Sequence, residues 1–178
     1  MKAIWDDNGK VDFDYLAEQF GTPFYLYDAE LIKRRIRRIK DQFHDLVDVY
    51  YAVKSNPNLE LLRIVRDSAD GLDISSGGEL QQALKAGYDP GAISFAGPAK
   101  TNDELTKSIQ QGVGCISIES LRELESCRQI AKQLKTRAGI LLRVNPNFLN
   151  RTFSMKMGGR PIQFGIDEEH LDEAVAKI

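Results

Sequence analysis

Short apolar runs alternate with amphipathic stretches along most of this sequence, and that alternation restricts the fold more than any other feature. In the amphipathic stretches, apolar residues recur every three or four positions, as they do on one face of a helix. The clearest example is 29–43, where Ile32, Ile36, Ile39 and Phe43 share a face. Strands that alternate with helices are typical of βαβ units around a parallel sheet.

Five strand-like runs are each followed by a helix or by the start of one. The predicted strands cover 47–54, 71–75, 93–96, 115–118 and 138–144, and the helices between them cover about 59–69, 78–86, 102–111 and 120–134. One more strand, 24–27, stands before the series, and a loop up to Phe164 leads to a last helix near Asp167. We expect Gly87 and Gly112 to end the helices before them, and the Asp167 side chain to cap the last one.

The composition is that of an ordinary globular chain. Of its 178 residues, 42% are hydrophobic and 28% are charged. The net charge of -2 argues against nucleic acid as the main partner and favours a small molecule. The amino terminus does not resemble a secretory signal, and no run approaches membrane-spanning length, so we expect a cytoplasmic protein without membrane contact. The two cysteines match no metal-ligand spacing, and we predict no metal site.

Lys54 is the strongest candidate for chemistry. It follows the apolar run 47–53 within the segment Tyr-Tyr-Ala-Val-Lys-Ser-Asn. An amine that emerges from an apolar strand is partly desolvated, which favours the neutral nucleophile that forms Schiff bases. An isolated lysine would more often be a solvated side chain where a strand leaves the core, but the neighbouring segments favour the chemical interpretation.

Repeated βα units are compatible with an open doubly wound sheet or with a closed barrel. The polar residues favour a barrel, because they follow the carboxyl ends of several strands instead of gathering at one crevice. These positions are Lys54, Asp73, Ser75, Ser76, 96–98, Glu119 and Arg143. No Gly-x-Gly-x-x-Gly turn follows an early strand, which argues against a dinucleotide-binding fold.

Five motifs resemble, in order and spacing, those of the pyridoxal-phosphate-dependent decarboxylases that act on diaminopimelate, ornithine and arginine. They are Tyr-Ala-Val-Lys-Ser-Asn at 51–56, Asp-Ile-Ser-Ser-Gly-Gly-Glu-Leu at 73–80, Phe-Ala-Gly-Pro-Ala-Lys at 95–100, Arg-Val-Asn-Pro at 143–146 and Gln-Phe-Gly-Ile at 163–166. The resemblance implies a TIM (β/α)8 barrel that binds pyridoxal phosphate, a carboxyl-terminal β domain, and a homodimer with active sites between its subunits.

A closed barrel needs about 250 residues, so this length of sequence predicts only the amino-terminal part of one. We expect 1–27 to form an amino-terminal segment with one strand, and 28–178 to form an incomplete barrel of about five βα units. The family's β domain and its later cofactor-binding elements would lie beyond residue 178. We therefore expect a fragment, one piece of a split enzyme or an incompletely represented chain, inactive as a decarboxylase on its own.

The resemblance also implies roles for four residues. Lys54 matches the lysine that binds the cofactor covalently, and it is the candidate proton carrier. Asp73 and Glu79 match an acidic pair beside the cofactor, with Asp73 as a counter-charge to the lysine; without the motif they would be a turn-capping aspartate and a solvated helical glutamate. Arg143 matches an arginine near the cofactor ring or phosphate, where its fork of donors suits an anion.

The implied reaction is loss of the α-carboxylate from an amino acid, with the cofactor as electron acceptor. Residues 155–165, Met-Lys-Met-Gly-Gly-Arg-Pro-Ile-Gln-Phe-Gly, depart from the form common in amino-acid decarboxylases. This loop is similar to that of a branch with carrier-linked or specialised substrates, although diaminopimelate remains an alternative and the loop could have drifted without functional meaning.

The helix 29–43 carries a basic face that could dock an acidic carrier protein, although such a run is usually a solvated outer surface. Its basic residues are Lys33, Arg34, Arg35, Arg37, Arg38 and Lys40. Two other functions stay open, a pyridoxal-phosphate-dependent racemase or cofactor-carrying protein, and a non-catalytic regulator derived from the decarboxylases. The segment 73–79 together with Arg143-Val-Asn-Pro favours a decarboxylase over the first, and the presence of Lys54, Asp73 and Arg143 speaks against the second.

Overall fold

The computed structural model describes residues 10–44, 46–147 and 162–178. These residues form seven α-helices and seven strands. The helices are α1 Phe13–Phe20, α2 Ala29–Gln42, α3 Leu59–Arg66, α4 Gly77–Lys85, α5 Asn102–Gln111, α6 Leu121–Gln133 and α7 Leu171–Ala176. The strands are β1 Tyr50–Ala52, β2 Gly71–Ile74, β3 Ile93–Phe95, β4 Cys115–Ile118, β5 Ile140–Leu142, β6 Val144–Asn145 and β7 Ile166–Asp167. Among them, no helix combines the length and the apolar character needed to cross a membrane.

The strands β1 to β5 form a parallel sheet in the order of the chain. Arg143 separates β5 from β6, and its backbone continues the pairing in both directions. Its N–H donates to the Ile118 carbonyl at 3.0 Å, and its own carbonyl accepts from the Ile166 N–H at 2.7 Å. Strands β6 and β7 form a separate two-stranded parallel sheet, and the Arg143 backbone joins it to the five-stranded sheet, so the order of the chain is kept as in the first part of a barrel.

The two faces of the sheet differ in polarity because side chains alternate along each strand. The outer face packs against the helices and carries Ile74, Phe95 and Ile116, which lie in register and are fully buried. Burial of each such side chain contributes roughly 1.5–3 kcal/mol to folding. The inner face carries Asp73 and Ser94 in the adjacent row. Polar groups therefore gather on the inner face, apart from the hydrophobic core.

Glycines allow the amino-terminal ends of neighbouring strands to approach closely. A β-carbon on Gly71 would collide with the Ala92 carbonyl oxygen, and one on Gly114 would collide with the carbonyl oxygen of Gly91. Gly139, directly before β5, stands in the same relation to Gly114. This contact repeats along the amino-terminal edge of the sheet and leaves no room for a side chain there.

The boundaries of most predicted elements agree with the structure to within a few residues, and the predicted left-handed glycines are confirmed. The φ angles of Gly87 and Gly112 are 82° and 76°, and Gly112 is the C-cap of α5. Helix α2 packs through Ile36 against Leu61 and Val65 of α3. Its predicted apolar face is only partly covered, since Ile39 and Phe43 remain exposed.

Three predictions about individual elements are wrong. The run 24–27 forms no strand; Tyr25 is 89% exposed, and no strand of the described residues pairs with this run. Ile166–Asp167 forms strand β7 where a loop and a helix start were expected. The Asp167 carboxylate does not cap the following helix, because it accepts a hydrogen bond from Asn145 Nδ2 at 2.6 Å. Helix α1, which was not predicted, begins at an Asp12 cap.

Candidate active site

Lys54 lies in a short 3-10 turn, Val53–Ser55, directly after β1. The fully buried Val53 anchors this turn, and Ser55 Oγ donates to the Ala52 carbonyl at 2.7 Å. The Lys54 side chain is exposed and forms no hydrogen bond or ion pair with the part of the chain that the structure describes. Within the described residues β1 is the edge strand of the sheet, so Lys54 is exposed here, and the partial desolvation expected for it stays a prediction.

Asp73 lies on the strand next to Lys54. It occupies the inner face of β2, where it is in register with Ala52, two residues before the lysine. Its side chain is partly buried, and no ion pair joins it to Lys54 within the described ranges. The counter-charge role of Asp73 thus stays a prediction, although the register places the two residues on neighbouring strands.

Glu79 supports the turn between β2 and α4. Its carboxylate accepts a hydrogen bond from the Ser75 N–H at 2.6 Å, and its own N–H donates to Ser76 Oγ at 3.2 Å. These bonds satisfy backbone donors at the start of α4. The described contacts of Glu79 are those of a helix cap, and its proximity to the cofactor stays a prediction.

Arg143 lies at the opposite side of the sheet, where β5 passes into β6. Its Nη1 donates to both carboxylate oxygens of Glu119, at 3.1 and 3.3 Å. The guanidinium carbon lies 4.9 Å from the centre of the Phe164 ring, within the range of a cation–π contact. The side chain is 33% exposed, and its Nε and Nη2 have no hydrogen-bond partner in residues 10–44, 46–147 and 162–178. Two donors are therefore available to an anion.

Glu119 is the residue whose importance the sequence did not reveal. Its side chain is 1% exposed. Besides Arg143, it accepts from the Gly97 N–H and the Gly165 N–H, both at 3.0 Å. The sequence placed Glu119 at a strand end without a role. The one sign of a role was that its partners lie in three of the five family-like motifs, 95–100, 143–146 and 163–166.

A second buried ion pair stands beside Glu119. Lys100 Nζ lies 2.7 Å from Glu123 Oε1, a contact that is an ion pair without hydrogen-bond geometry. The same ammonium donates to the carbonyls of Gly97 and Ser117 at 2.6 and 2.7 Å. Glu123 Oε2 in turn accepts from the Glu119 N–H at 2.7 Å. Because both charges are shielded from water, removal of either partner would leave the other uncompensated.

Glutamates link successive turns at this edge of the sheet. Glu104 forms a capping box with Thr101, and its Oε1 also accepts from the Gly77 N–H of the preceding turn at 2.7 Å. The Glu104 carboxylate accepts hydrogen bonds from the Thr101 N–H, which has the larger effect, and from the Gly77 N–H. These bonds hold the pKa of Glu104 below its usual range. Since Glu119 similarly reaches Gly97, the carboxyl-terminal edge is a connected set of turns.

The comparisons with known proteins agree with this arrangement. The family model of the pyridoxal-dependent decarboxylases, pyridoxal binding domain, matches residues 29–178. This chain belongs to that family. The pyridoxal-dependent decarboxylases use pyridoxal phosphate as cofactor, and the chain carries the amino-terminal part of their α/β barrel, as predicted.

Several curated relatives are named as decarboxylases. The L-glutamyl-[BtrI acyl-carrier protein] decarboxylase of Niallia circulans is 36% identical over 95% of this chain and 40% of its own length. Diaminopimelate decarboxylase of Pseudomonas aeruginosa is 37% identical over 93% of the chain and 40% of its own length. The structure of diaminopimelate decarboxylase from Helicobacter pylori complexed with L-lysine aligns with a TM-score of 0.84 at 33% identity, covering 92% of this chain and 42% of that one. The chain thus spans about 40% of the length of these relatives.

The residues described here fit pyridoxal phosphate. This cofactor carries an aldehyde and anionic oxygens, which call for a primary amine and a cation. Lys54 offers an exposed amine without a partner in the described residues, and Arg143 offers two guanidinium nitrogens that are still available. The sequence difference at 155–165 lies mostly outside the described residues. The described ranges contain no group of histidine, cysteine and acidic side chains that could hold a metal ion.

Proposed function

We propose that the protein to which this chain belongs is a decarboxylase of an amino acid or an amino-acid-derived substrate. The observation that carries the proposal is Lys54, an exposed amine at the carboxyl end of β1 in a chain of the pyridoxal-dependent decarboxylase family. The bound cofactor would accept the electron pair that remains when the carboxylate leaves as carbon dioxide. The relatives named above do not favour the racemase or the non-catalytic alternative.

The residues of this chain would bind the cofactor and move a proton. Lys54 Nζ would attach it covalently; once the substrate amine has displaced Lys54 from the cofactor, the freed Nζ would return a proton to the carbon that has lost the carboxylate. Arg143 would direct Nε and Nη2 to an anionic group, and Asp73 would balance the charge of the lysine. Glu79 would hold the turn after β2. The homodimer implied by the motifs is part of the same proposal.

Covalent attachment at Lys54 is the first testable prediction. After addition of pyridoxal phosphate to the longest chain that the source gene encodes, borohydride reduction should fix the cofactor on the peptide containing Lys54. The Lys54→Arg variant should lose this label, because a guanidinium does not condense with an aldehyde under these conditions. Mass spectrometry of the digested protein provides the measurement.

Lys85→Arg is the matched control. Lys85 is also exposed, but it is the last residue of α4 and lies toward the amino-terminal ends of the strands, away from Lys54. Its variant should keep the full label on Lys54. Absence of label on Lys54 in a folded wild-type protein would refute the enzymatic proposal, whereas label followed by carbon dioxide release from candidate amino acids would support it.

A carrier-linked substrate is a second candidate, and two observations favour it. A relative at 36% identity is named for a carrier-protein substrate. On α2, Arg34, Arg35 and Arg38 are exposed and have no acidic partner among the described residues. The neighbouring Lys33 and Lys40 are paired with acids, Lys40 with Asp70 at 2.6 Å. An uncompensated basic face suits an acidic protein partner.

Charge reversal on α2 tests the docking proposal. The Arg34→Glu, Arg38→Glu double variant should lower kcat/KM on an amino acid attached to a carrier protein by about tenfold at low salt, since such surfaces mainly control association. Activity on the free amino acid should not change. Lys107→Glu with Lys132→Glu, which makes the same charge change on α5 and α6, should leave both activities unaltered. An equal loss on both substrates in the α2 variant would refute docking at this face.

A further inference from the structure

Glu119 collects hydrogen-bond donors from three different turns. Gly97 follows β3, Arg143 separates β5 from β6, and Gly165 precedes β7. The four contacts leave the buried carboxylate well compensated, which is the condition under which a charge is tolerated away from water. Of the three partners, only Arg143 contributes a side chain, and that side chain is 33% exposed.

The local structure restricts the Arg143 guanidinium on two sides. Glu119 holds Nη1 through both carboxylate oxygens, and Phe164 lies against the planar group. Gly165, next to Phe164, has a φ of 83°, and a β-carbon there would lie 2.9 Å from the Arg143 carbonyl oxygen. A glycine is therefore needed for the Phe164 turn to approach Arg143 so closely. This leaves Nε and Nη2 as the donors that remain free in the described part of the chain.

We infer that Glu119 is a positioning residue: it fixes Arg143 so that Nε and Nη2 are held ready for an anionic group of the cofactor. The inference rests on the proposed function, and it adds a residue that acts on the cofactor through Arg143. A guanidinium fixed in advance loses less conformational freedom when it binds an anion, so affinity increases. Replacement of Glu119 by glutamine removes the negative charge and one acceptor oxygen. The NH2 group of the glutamine would then face N–H donors that the carboxylate accepts from in the wild type.

A double-mutant cycle tests whether Glu119 acts through Arg143. The variants are Glu119→Gln, Arg143→Ala and their combination, in the longest chain that the source gene encodes. The readout is the Kd for pyridoxal phosphate, measured by titration of the cofactor-free protein, together with the thermal midpoint of each variant. Groups that act through one another show non-additive effects, whereas independent groups are additive.

We expect Glu119→Gln to raise the Kd about tenfold when Arg143 is present, and less than about twofold in the Arg143→Ala background. Glu104→Gln is the matched control, because Glu104 also accepts two backbone N–H groups at a turn but does not contact Arg143. Whatever its effect on the thermal midpoint, the Glu104 variant should change the Kd by the same factor in both backgrounds. If Glu119→Gln does not fold, Glu119→Asp, which keeps the charge on a shorter side chain, takes its place in the cycle with the same expected coupling.

Two results would overturn the inference. In one, the Glu119 variant raises the Kd by the same factor with and without Arg143, which would make its role purely structural. In the other, Arg143→Ala alone leaves the Kd unchanged, so that nothing is positioned toward the cofactor. A wild-type protein that binds no pyridoxal phosphate would instead refute the proposed function itself, and it is recognised before any variant is compared.

Discussion

Tyr88 is a buried residue with an altered pKa, and we assign it no catalytic role. Its side chain is 7% exposed, and its hydroxyl donates to the Leu62 carbonyl at 3.1 Å. Burial raises the pKa of Tyr88 from its ordinary 10.0 to about 12. The folded protein therefore keeps this proton to a higher pH than the unfolded chain does. The resulting stability is fully present below pH 10 and is lost as the pH rises through the folded pKa.

The Tyr88→Phe variant should show this dependence. At pH 7 the variant should have a free energy of unfolding about 1 kcal/mol below that of the wild type, because it lacks one buried hydrogen bond. That difference should shrink above pH 10, since only the wild type loses stability through ionisation of this phenol in the unfolded chain. Urea unfolding at pH 7, 9 and 11 measures it. Tyr25→Phe, at a side chain already in water, should follow the wild type throughout, and a difference for Tyr88→Phe that stays constant to pH 11 would contradict this explanation.

The sequence identified candidate site residues only where they lie in a local motif, and their roles stay predictions. Lys54, Asp73 and Arg143 each lie in one of the five family-like motifs, and the structure places all three at or near the carboxyl ends of strands. Glu119 escaped because its partners lie in turns that are distant in sequence, and only packing brings them together.

At the scale of elements, the starts of the strands depend on close backbone contact. Gly114 and Gly91 face each other across one such contact, but only Gly114 directs its missing β-carbon into the neighbouring chain. A β-carbon on Gly91 would find Asp89 Oδ1 at an ordinary 3.5 Å. The two glycines therefore form a natural pair for a test.

Gly114→Ala should lower the free energy of unfolding by about 1–3 kcal/mol, the usual effect of overpacking, because β4 must move away from the segment before β3. Gly91→Ala should change it by less than about 0.5 kcal/mol, as is usual away from such contacts. Chemical unfolding followed by circular dichroism measures both. Equal effects of the two substitutions would show that the close approach at Gly114 does not limit the packing of these strands.

Elements were predictable where their pattern is long and local. Helices α5 and α6 bury one face along ten or more residues and begin at Thr101 and Ser120, whose side chains cap them. Strand β7 has only two residues, and its pairing with β6 links segments about twenty residues apart, so no local pattern indicates it. The run 24–27 fails for the opposite reason: its composition suits a strand, but the described residues offer it no neighbour.

For the whole molecule, the parallel sheet separates two tasks between its faces. The outer face is nearly all apolar and packs with the helices into a main core, beside which a smaller cluster joins α2 to α3. The inner face and the carboxyl-terminal turns hold the polar groups, so substitutions in these turns need not disturb the core. This division was predictable as a whole, because it follows from the strand–helix alternation that the sequence shows directly.

The bond between Glu119 and Gly165 joins residues 46 positions apart, and this separation has a consequence for translation. At about 5–20 residues per second, several seconds pass on the ribosome between synthesis of the glutamate and synthesis of that partner. Two of its three partners are missing until Arg143 is made, 24 positions after the glutamate, and Gly165 is missing to the end of the interval, so the carboxylate is more stable in water than in the core. The nascent chain can thus form its first strands early. The turn after β4 adopts its final structure only when the Gly165 segment has left the exit tunnel.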